Sequence, residues 1–221
     1  MKKSPNFNGI ANAYSWMEKL TFGKSLARCR LALLGDLLHS HNALVIGDGD
    51  GRFTARLLEA NPVVLVDALD ASPAMLRALV DNAGIRASRV RVHVADARLW
   101  EPLVPRLDLI ATHFFLDCLT TNEVASLAKR LRVAARPDAK WVVSEFAIPE
   151  GAFGSIVARP LIMALYIAFA VLTGLRVFRL PDHRTALSQA GFMLAKQRRF
   201  LHGLLVSELW TIAPTSTVQQ P

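Results

Sequence analysis

Cysteine is scarce in this sequence: only Cys29 and Cys118 occur among 221 residues, and they lie far apart. Neither has the spacing of a structural metal site, and one distant pair makes no disulfide framework. The sequence therefore predicts a reduced, cytoplasmic protein with buried thiols.

Other signatures are missing as well. The basic residues 1–6 lead into no apolar segment typical of a secretory signal. The chain has no internal repeat, metal-ligand cluster, nucleophilic triad or phosphate-binding P-loop. Its apolar stretch 161–175 has 15 residues, fewer than the ~20 that cross a bilayer. These absences favour one α/β domain, which suits the length.

Acidic residues are outnumbered, since 26 Lys and Arg against 18 Asp and Glu give a net charge of +8. The basic residues are spread over 2–30, 129–140 and 196–199, with no interleaved aromatic residues for base stacking. We expect ordinary solvated surfaces, and a nucleic-acid partner is the least favoured interpretation. Contact with an anionic membrane surface stays an open alternative.

Apolar strand-like segments alternate with helical ones along most of the chain. Strands are predicted at 44–47, 62–69, 89–95, 107–112 and 141–146, and helices at 52–59, from 73, and at 122–135. This alternation predicts an α/β fold with a doubly wound, mostly parallel sheet. Residues 192–200 and 204–212 flank a short turn and predict a C-terminal antiparallel hairpin. Helices at 7–20 and 23–40 precede the first strand as an N-terminal helical cap.

The sharpest motif is a glycine loop that follows the first strand. Gly47, Gly49 and Gly51 leave the backbone bare where the chain bends, and the helix that follows offers unpaired N–H groups. A carboxylate at the end of the second strand can accept hydrogen bonds from both hydroxyls of a ribose. Asp67 and Asp70 are both placed to do so.

Four segments follow one another along the chain: the glycine loop, Asp70 to Leu76 (D-x-S-P-x-M-L), residues 94–97 ending in Asp96-Ala97, and residues 108–114. Together they resemble the class I S-adenosylmethionine-dependent methyltransferases. The resemblance implies a seven-stranded sheet of order 3-2-1-4-5-7-6. It also implies S-adenosyl-L-methionine as cofactor and S-adenosyl-L-homocysteine as product.

The same resemblance assigns the cofactor site. The glycines would lie against the methionyl part, Asp70 is preferred over Asp67 because of its motif, Asp96 would accept from the adenine amino group, and the Ala97 N–H would reach a ring nitrogen. The full predicted set is Tyr14, Gly47, Asp48, Gly49, Gly51, Asp70, Ala71, Ser72, Met75, Asp96, Ala97, Thr112 and His113.

The loop departs from the family in one respect. Many relatives have an acid two residues before the first glycine, where this chain has Val45. Asp48, inside the loop, is our hypothesis for the group that holds the cofactor ammonium. A purely structural role in the loop is the alternative.

The segment from Phe7 to Tyr14 resembles the F-x-x-I-A-x-x-Y opening of the ubiquinone/menaquinone C-methyltransferases. By that looser resemblance, the N-terminal helices cap the cofactor and Tyr14 faces the pocket. Alternatively, Tyr14 only anchors a core. We divide the chain, as a single domain, into a cap (1–41), a cofactor-binding core (42–148), an apolar roof (149–190) and a terminal hairpin (191–212).

His113 and Asp117 are the predicted catalytic pair. They are four residues apart and share a face if this stretch is helical, so that His113 would take a proton and Asp117 would orient it. The alternative is that His113 only lines the cofactor. An apolar roof over 161–175 implies a hydrophobic substrate, whereas a helix at a membrane interface or a plain buried helix is the other interpretation.

We therefore predict methyl transfer to oxygen or carbon of a hydrophobic small molecule (quinone-like, phenolic or lipid), in the cytoplasm or at the inner membrane face. An RNA methyltransferase is one alternative, although the chain lacks the N/D-P-P-Y/F run of enzymes that methylate base amino groups. A non-catalytic cofactor-binding protein is another. A nicotinamide-dependent oxidoreductase is disfavoured by the terminal hairpin. The oligomeric state and the acceptor are not specified by the sequence.

Overall fold

One seven-stranded sheet organises the computed structural model, which describes residues 24–102, 106–173 and 179–213. The strands are β1 (Asn42–Ile46), β2 (Leu65–Asp70), β3 (Val90–Val94), β4 (Leu107–His113), β5 (Ala135–Phe146), β6 (Phe192–Phe200) and β7 (Leu205–Ile212). Their spatial order is β3-β2-β1-β4-β5-β7-β6. Strands β1 to β5 run parallel, and β7 is antiparallel to both β5 and β6. The predicted fold class and strand order are confirmed.

Helices cover both faces of this sheet. They are α1 (Lys24–Leu31), α2 (Arg52–Ala60), α3 (Pro73–Ala83), α4 (Thr121–Ala134), α5 (Arg159–Thr173) and α6 (His183–Gln189). Capping residues fix where two of these helices begin. At the start of α3, the Ser72 hydroxyl accepts a hydrogen bond from the Met75 N–H, and Pro73 is the first helical residue. At the start of α4, Thr120 and Glu123 form a capping box.

Strand β1 shows how one sheet supports two cores. Ala43 and Val45 pack on the side of α2 and α3, while Leu44 and Ile46 pack on the side of α4. Successive strand residues point to opposite faces, so a strand covered on both sides must be apolar throughout. The continuous burial of β4 has the same cause.

The second cap helix differs from its prediction. In place of one helix over 23–40, α1 ends at Leu31 and a 3₁₀ turn follows at Leu34–Leu37. Gly35 lies in that turn, and glycine weakens a continuing α-helix. The predicted helix 7–20 lies outside the described residues, as does Tyr14.

The fifth strand begins earlier than predicted, at Ala135 directly after α4. Arg136, Pro137 and Asp138 extend it with three exposed residues, so the alternation of buried and exposed side chains that marks a strand is missing there. The Arg136 guanidinium pairs with the Asp138 carboxylate at 3.0 Å.

The predicted apolar helix is α5, preceded by a π-helical turn at Gly154–Ala158. Ala158, Ile162 and Tyr166 pack against Leu204 at the start of the last hairpin strand. Within the described ranges, no helix combines the length and hydropathy that a bilayer crossing demands.

Candidate functional site

The glycine loop after β1 is shaped by its neighbours. Gly47, Gly49 and Gly51 all have positive φ angles, of 67°, 62° and 82°. A Cβ at Gly47 would lie 2.3 Å from the Phe115 ring, and one at Gly51 would lie 2.5 Å from Leu79, whereas a Cβ at Gly49 would meet nothing within 4 Å. The outer two glycines are therefore required by packing, and the backbone at Gly49 is open to a ligand.

Asp48 ties this loop to α2. Its carboxylate accepts from the Thr54 N–H at 2.8 Å and the Phe53 N–H at 3.3 Å, and the side chain is buried. Burial raises its pKa, while the nearby Arg30 charge and these N–H groups oppose the rise. The contacts describe a cap on the first turn of α2, in line with the structural alternative for Asp48. A bond to the cofactor ammonium stays a prediction.

Asp67 and Asp70 have different surroundings. Asp67 is engaged with other side chains: its Oδ1 lies 2.7 Å from His93 Nε2 and 3.3 Å from Arg91 Nε. Asp70 ends β2, where its Oδ1 accepts from the Ser72 N–H at 2.8 Å. Burial, with a smaller contribution from the Asp48 charge, raises the pKa of Asp70 to about 6. Asp70 is thus the acid held near the glycine loop.

The rest of this motif surrounds Asp70. Ser72 is buried as the cap of α3, Ala71 is exposed beside it, and Met75 is half-buried in the first helical turn. The Asp70 carbonyl accepts from the Ala95 N–H at 3.1 Å, which brings the next predicted segment alongside.

Asp96 is held by Arg98. The guanidinium contacts both carboxylate oxygens, and the Arg98 N–H donates to Oδ1 at 2.9 Å. This pairing lowers the pKa of Asp96, so the group stays ionised. Ala97 is buried, and its carbonyl accepts from Arg130 at 2.7 Å. Both residues lie after β3, next to the end of β2.

His113 and Asp117 are not arranged as predicted. His113 is the last residue of β4, Phe114 has a φ of 53°, and Asp117 lies in a 3₁₀ turn at Leu116–Cys118, so the two do not share a helix face. His113 Nδ1 lies 2.9 Å from Ser144 Oγ instead. Ser144 therefore orients the ring, and Asp117 does not.

The environment of His113 keeps it neutral. The ring is buried, its centre lies 4.2 Å from that of Phe53, and burial together with the Arg30 charge moves its pKa well below the ordinary value. Its Nε2 is buried without a hydrogen-bond partner. Thr112 is also fully buried, where its hydroxyl accepts from Trp141 Nε1 at 3.0 Å. These contacts fix the end of β4 rigidly.

Glu145, near the end of β5, is the residue that sequence reasoning missed. Its Oε1 accepts from the Leu116 N–H at 2.7 Å and the Phe115 N–H at 3.1 Å, while its buried Oε2 has no hydrogen-bond partner. The available signal was a single acid in an otherwise apolar or small-residue strand end, residues 141–146. An unsatisfied buried carboxylate oxygen is costly and marks a place for a donor.

Asp117 and Glu145 form a carboxylate pair at the turn after β4. Burial raises the pKa of Asp117 to about 6, and burial with the Asp117 charge raises that of Glu145 well above its usual range. The Tyr166 hydroxyl of α5 donates to the Asp117 carbonyl at 3.1 Å. The pair therefore lies beside the roof helix.

The described part of the site thus combines the glycine loop, the end of β2, the turn after β4 and the end of β5. Phe115 packs on Gly47, which joins the carboxylate pair to the glycine loop. The ends of β1, β2, β4 and β5 are all carboxyl ends on one edge of the sheet, where α/β proteins bind ligands.

Comparison with known proteins agrees with this geometry. Residues 44–141 match the family model of a methyltransferase domain. This match covers less than half of the chain, and it agrees with the resemblance of the four sequence segments to class I S-adenosylmethionine-dependent methyltransferases. No protein of curated function matches it by sequence, and the likeness to the ubiquinone branch is not supported further.

Solved methyltransferase structures share the fold of this domain at low sequence identity. The mitomycin 7-O-methyltransferase MmcR is 17% identical with a TM-score of 0.68, over 96% of this chain and 61% of that one. A putative O-methyltransferase from Nostoc punctiforme is 19% identical with a TM-score of 0.67, over 94% and 61%. A TehB-like methyltransferase from Corynebacterium glutamicum is 15% identical with a TM-score of 0.60, over 92% and 98%. The chain spans about three fifths of the first two.

S-adenosylmethionine is the cofactor that the match to a methyltransferase domain implies, and the described residues fit it. The open backbone at Gly49 gives room for the methionyl part. Asp70 would supply a carboxylate for the ribose hydroxyls. The buried acids Asp48 and Glu145, with the half-buried Asp117, would suit a ligand with a sulfonium and an ammonium group.

Proposed function

We propose that the protein transfers a methyl group from S-adenosylmethionine to oxygen or carbon of a hydrophobic small molecule, bound between the turn after β4 and helix α5. One observation carries this proposal: Tyr166 of the apolar α5 bonds to the same turn that holds the Asp117–Glu145 pair. The acceptor site would thus have an apolar wall and a polar end. The named activity of the mitomycin 7-O-methyltransferase supports oxygen as the attacked atom.

The apolar wall orients the acceptor and excludes water. Ile162, Tyr166 and Leu204 form one packed cluster, against which Phe146 and Phe153 also lie. Methyl transfer is an in-line displacement, so alignment and removal of water supply much of its acceleration. The cofactor supplies the electrophilic methyl group, and these side chains hold the nucleophile in line with it.

The carboxylate pair is the proton acceptor in this proposal. Two neighbouring carboxyl groups, Glu145 buried and Asp117 half-buried, hold one proton between them near neutral pH, since both cannot ionise freely. When the new oxygen–methyl bond forms and the sulfur–methyl bond breaks, the hydroxyl proton of the acceptor moves to the ionised member. His113, neutral and bonded to Ser144, positions the strand end rather than taking that proton.

An untargeted labelling experiment tests the proposal. The full chain is incubated with methyl-labelled S-adenosylmethionine and a cell extract, and labelled products are identified by mass spectrometry. We expect label in a compound that partitions into organic solvent, and none with the Asp70→Ala variant. Label found only in RNA would overturn the small-molecule assignment. Tight cofactor binding without any labelled product would favour a non-catalytic role.

A further inference from the structure

The outward side of α5 and the turn before it is unusually apolar. Ile156 is 73% exposed, Val157 46% and Met163 47%. The opposite side is already covered, because Ala158 and Ile162 pack against Leu204. A helix at the surface of a water-soluble domain normally turns polar residues outward. Over residues 154–166 the exposed side instead carries Ile156, Val157 and Met163 beside Arg159, and such an exposed apolar surface marks a site of interaction.

Two neighbouring segments extend the same surface. Ile148, in the loop after β5, and Leu201, at the tip of the β6–β7 hairpin, are each 39% exposed. They belong to one end of the molecule, since the Phe153 and His202 rings lie 5.4 Å apart and Gly203 packs closely on Pro149. We name Ile148, Ile156, Val157, Met163 and Leu201 the apolar end.

Arginine side chains lie beside the apolar end. Arg159 lies on the exposed side between Ile156 and Met163, and Arg179 precedes Leu180 of the packed cluster. Arg199 is exposed two residues before Leu201, and Glu150 is an exposed acid in the same region. Apolar side chains accompanied by arginine charges match the surface of an anionic bilayer, which has a hydrocarbon interior and negative headgroups.

From this combination we infer that the apolar end docks on an anionic lipid bilayer, with α5 lying along the surface rather than crossing it. This inference goes beyond the proposed methyl transfer and does not depend on it. If both hold, the acceptor site beneath α5 would open toward the membrane, where hydrophobic molecules collect.

Vesicle co-sedimentation of the full chain tests the inference. The vesicles contain either phosphatidylcholine alone or equal parts of phosphatidylcholine and phosphatidylglycerol. We expect binding to the anionic vesicles that weakens as salt is raised, and much weaker binding to the neutral ones. The double variant Ile156→Glu with Met163→Glu should lose binding by about tenfold or more, since two apolar side chains no longer enter the bilayer.

The matched control carries the same charge change elsewhere. Ile85 and Val133 are 93% and 86% exposed and lie outside the apolar end, so Ile85→Glu with Val133→Glu should bind vesicles almost as the wild type does. Far-UV circular dichroism spectra and thermal midpoints close to those of the wild type show that both double variants are folded. The inference is overturned if neither vesicle binds, if the control loses binding equally, or if the wild type is a dimer that the first variant alone dissociates.

Discussion

Asp70 is the acid predicted to bind the cofactor ribose, and its protonation would give cofactor recognition a pH dependence. Its folded pKa, about 6, lies above the ordinary value of ~3.9. In the free protein the stability contribution of Asp70 is therefore fully present below the ordinary pKa and is lost as the pH rises through about 6. Ribose hydroxyls and a cationic ligand favour the ionised form, so cofactor affinity changes in the opposite direction.

We expect S-adenosylmethionine affinity to rise with pH up to about 6 and then to level off. The Asp70→Asn variant should bind S-adenosylmethionine roughly 10- to 100-fold more weakly, because it loses hydrogen bonds to a charged group. Its affinity should also show little pH dependence. Titration calorimetry across this range measures both. Asp67→Asn is the control, because Asp67 is engaged with His93 and Arg91. If the Asp70→Asn variant and the wild type bound S-adenosylmethionine with equal affinity, Asp70 would not be part of the cofactor site.

Glu145 makes a separate prediction that needs no known acceptor. Its raised pKa means that the free energy of unfolding falls as the pH rises above the ordinary carboxyl value, since the unfolded chain ionises more easily. Glu145→Gln cannot ionise, so urea denaturation should show a flatter pH dependence. The control Glu123→Gln changes an acid whose pKa is lowered, and should retain the slope. If the free energy of unfolding of Glu145→Gln fell with pH as steeply as that of the wild type, the raised pKa of Glu145 would be contradicted.

Once an acceptor is known, Asp117→Asn should reduce methyl transfer by roughly 10²- to 10⁴-fold, the usual contribution of a general base, because Asp117 has the lower pKa of the pair and is its ionised member near neutral pH. Cofactor affinity should stay near that of the wild type, because the proposed role concerns the acceptor proton. A variant that loses both would indicate a structural role.

In the glycine loop, packing and ligand access depend on different glycines. Gly47→Ala combines a left-handed backbone with a clash against Phe115 and should lower the free energy of unfolding by about 3 kcal/mol. Gly49→Ala meets no neighbour and should cost only about 1–2 kcal/mol, yet it should weaken cofactor binding because its methyl group covers the open backbone. Urea denaturation and calorimetry distinguish the two. Equal destabilisation by both would contradict the assignment.

Sequence periodicity predicted the elements of this fold well where burial is continuous, as in β1 and β4. It failed where the backbone is decided by tertiary contacts. The predicted pairing of His113 with Asp117 required a helical stretch after His113, but Phe114 takes a left-handed conformation and the turn is held by Glu145 across the sheet. Glu145 itself was missed because the chain position of a lone acid does not reveal which turn packs above it. The Ser144 partner of His113 was hidden for the same reason.

A ligand bound at the carboxyl edge should stabilise the whole sheet, because the two cores share β1 and β4. The core beside α4 contains Leu44 and Ile110, and the core beside α2 contains Ala43 and Leu109. The cofactor would contact loops that leave both layers of helices, the glycine loop into α2 and the turn before α4. Binding energy at this edge should therefore stabilise the fold as one unit.

Thermal unfolding tests that coupling and the cofactor together. S-adenosylmethionine at a hundredfold excess over its Kd should add about 2.7 kcal/mol to the free energy of unfolding. For a chain of this size that corresponds to a rise in Tm of about 5–10 °C. S-adenosylhomocysteine should act similarly, whereas Asp70→Ala should show little rise and a nicotinamide dinucleotide none. A rise with the dinucleotide but not with S-adenosylmethionine would place the protein among the oxidoreductases, since each ligand stabilises only the fold that has a site for it.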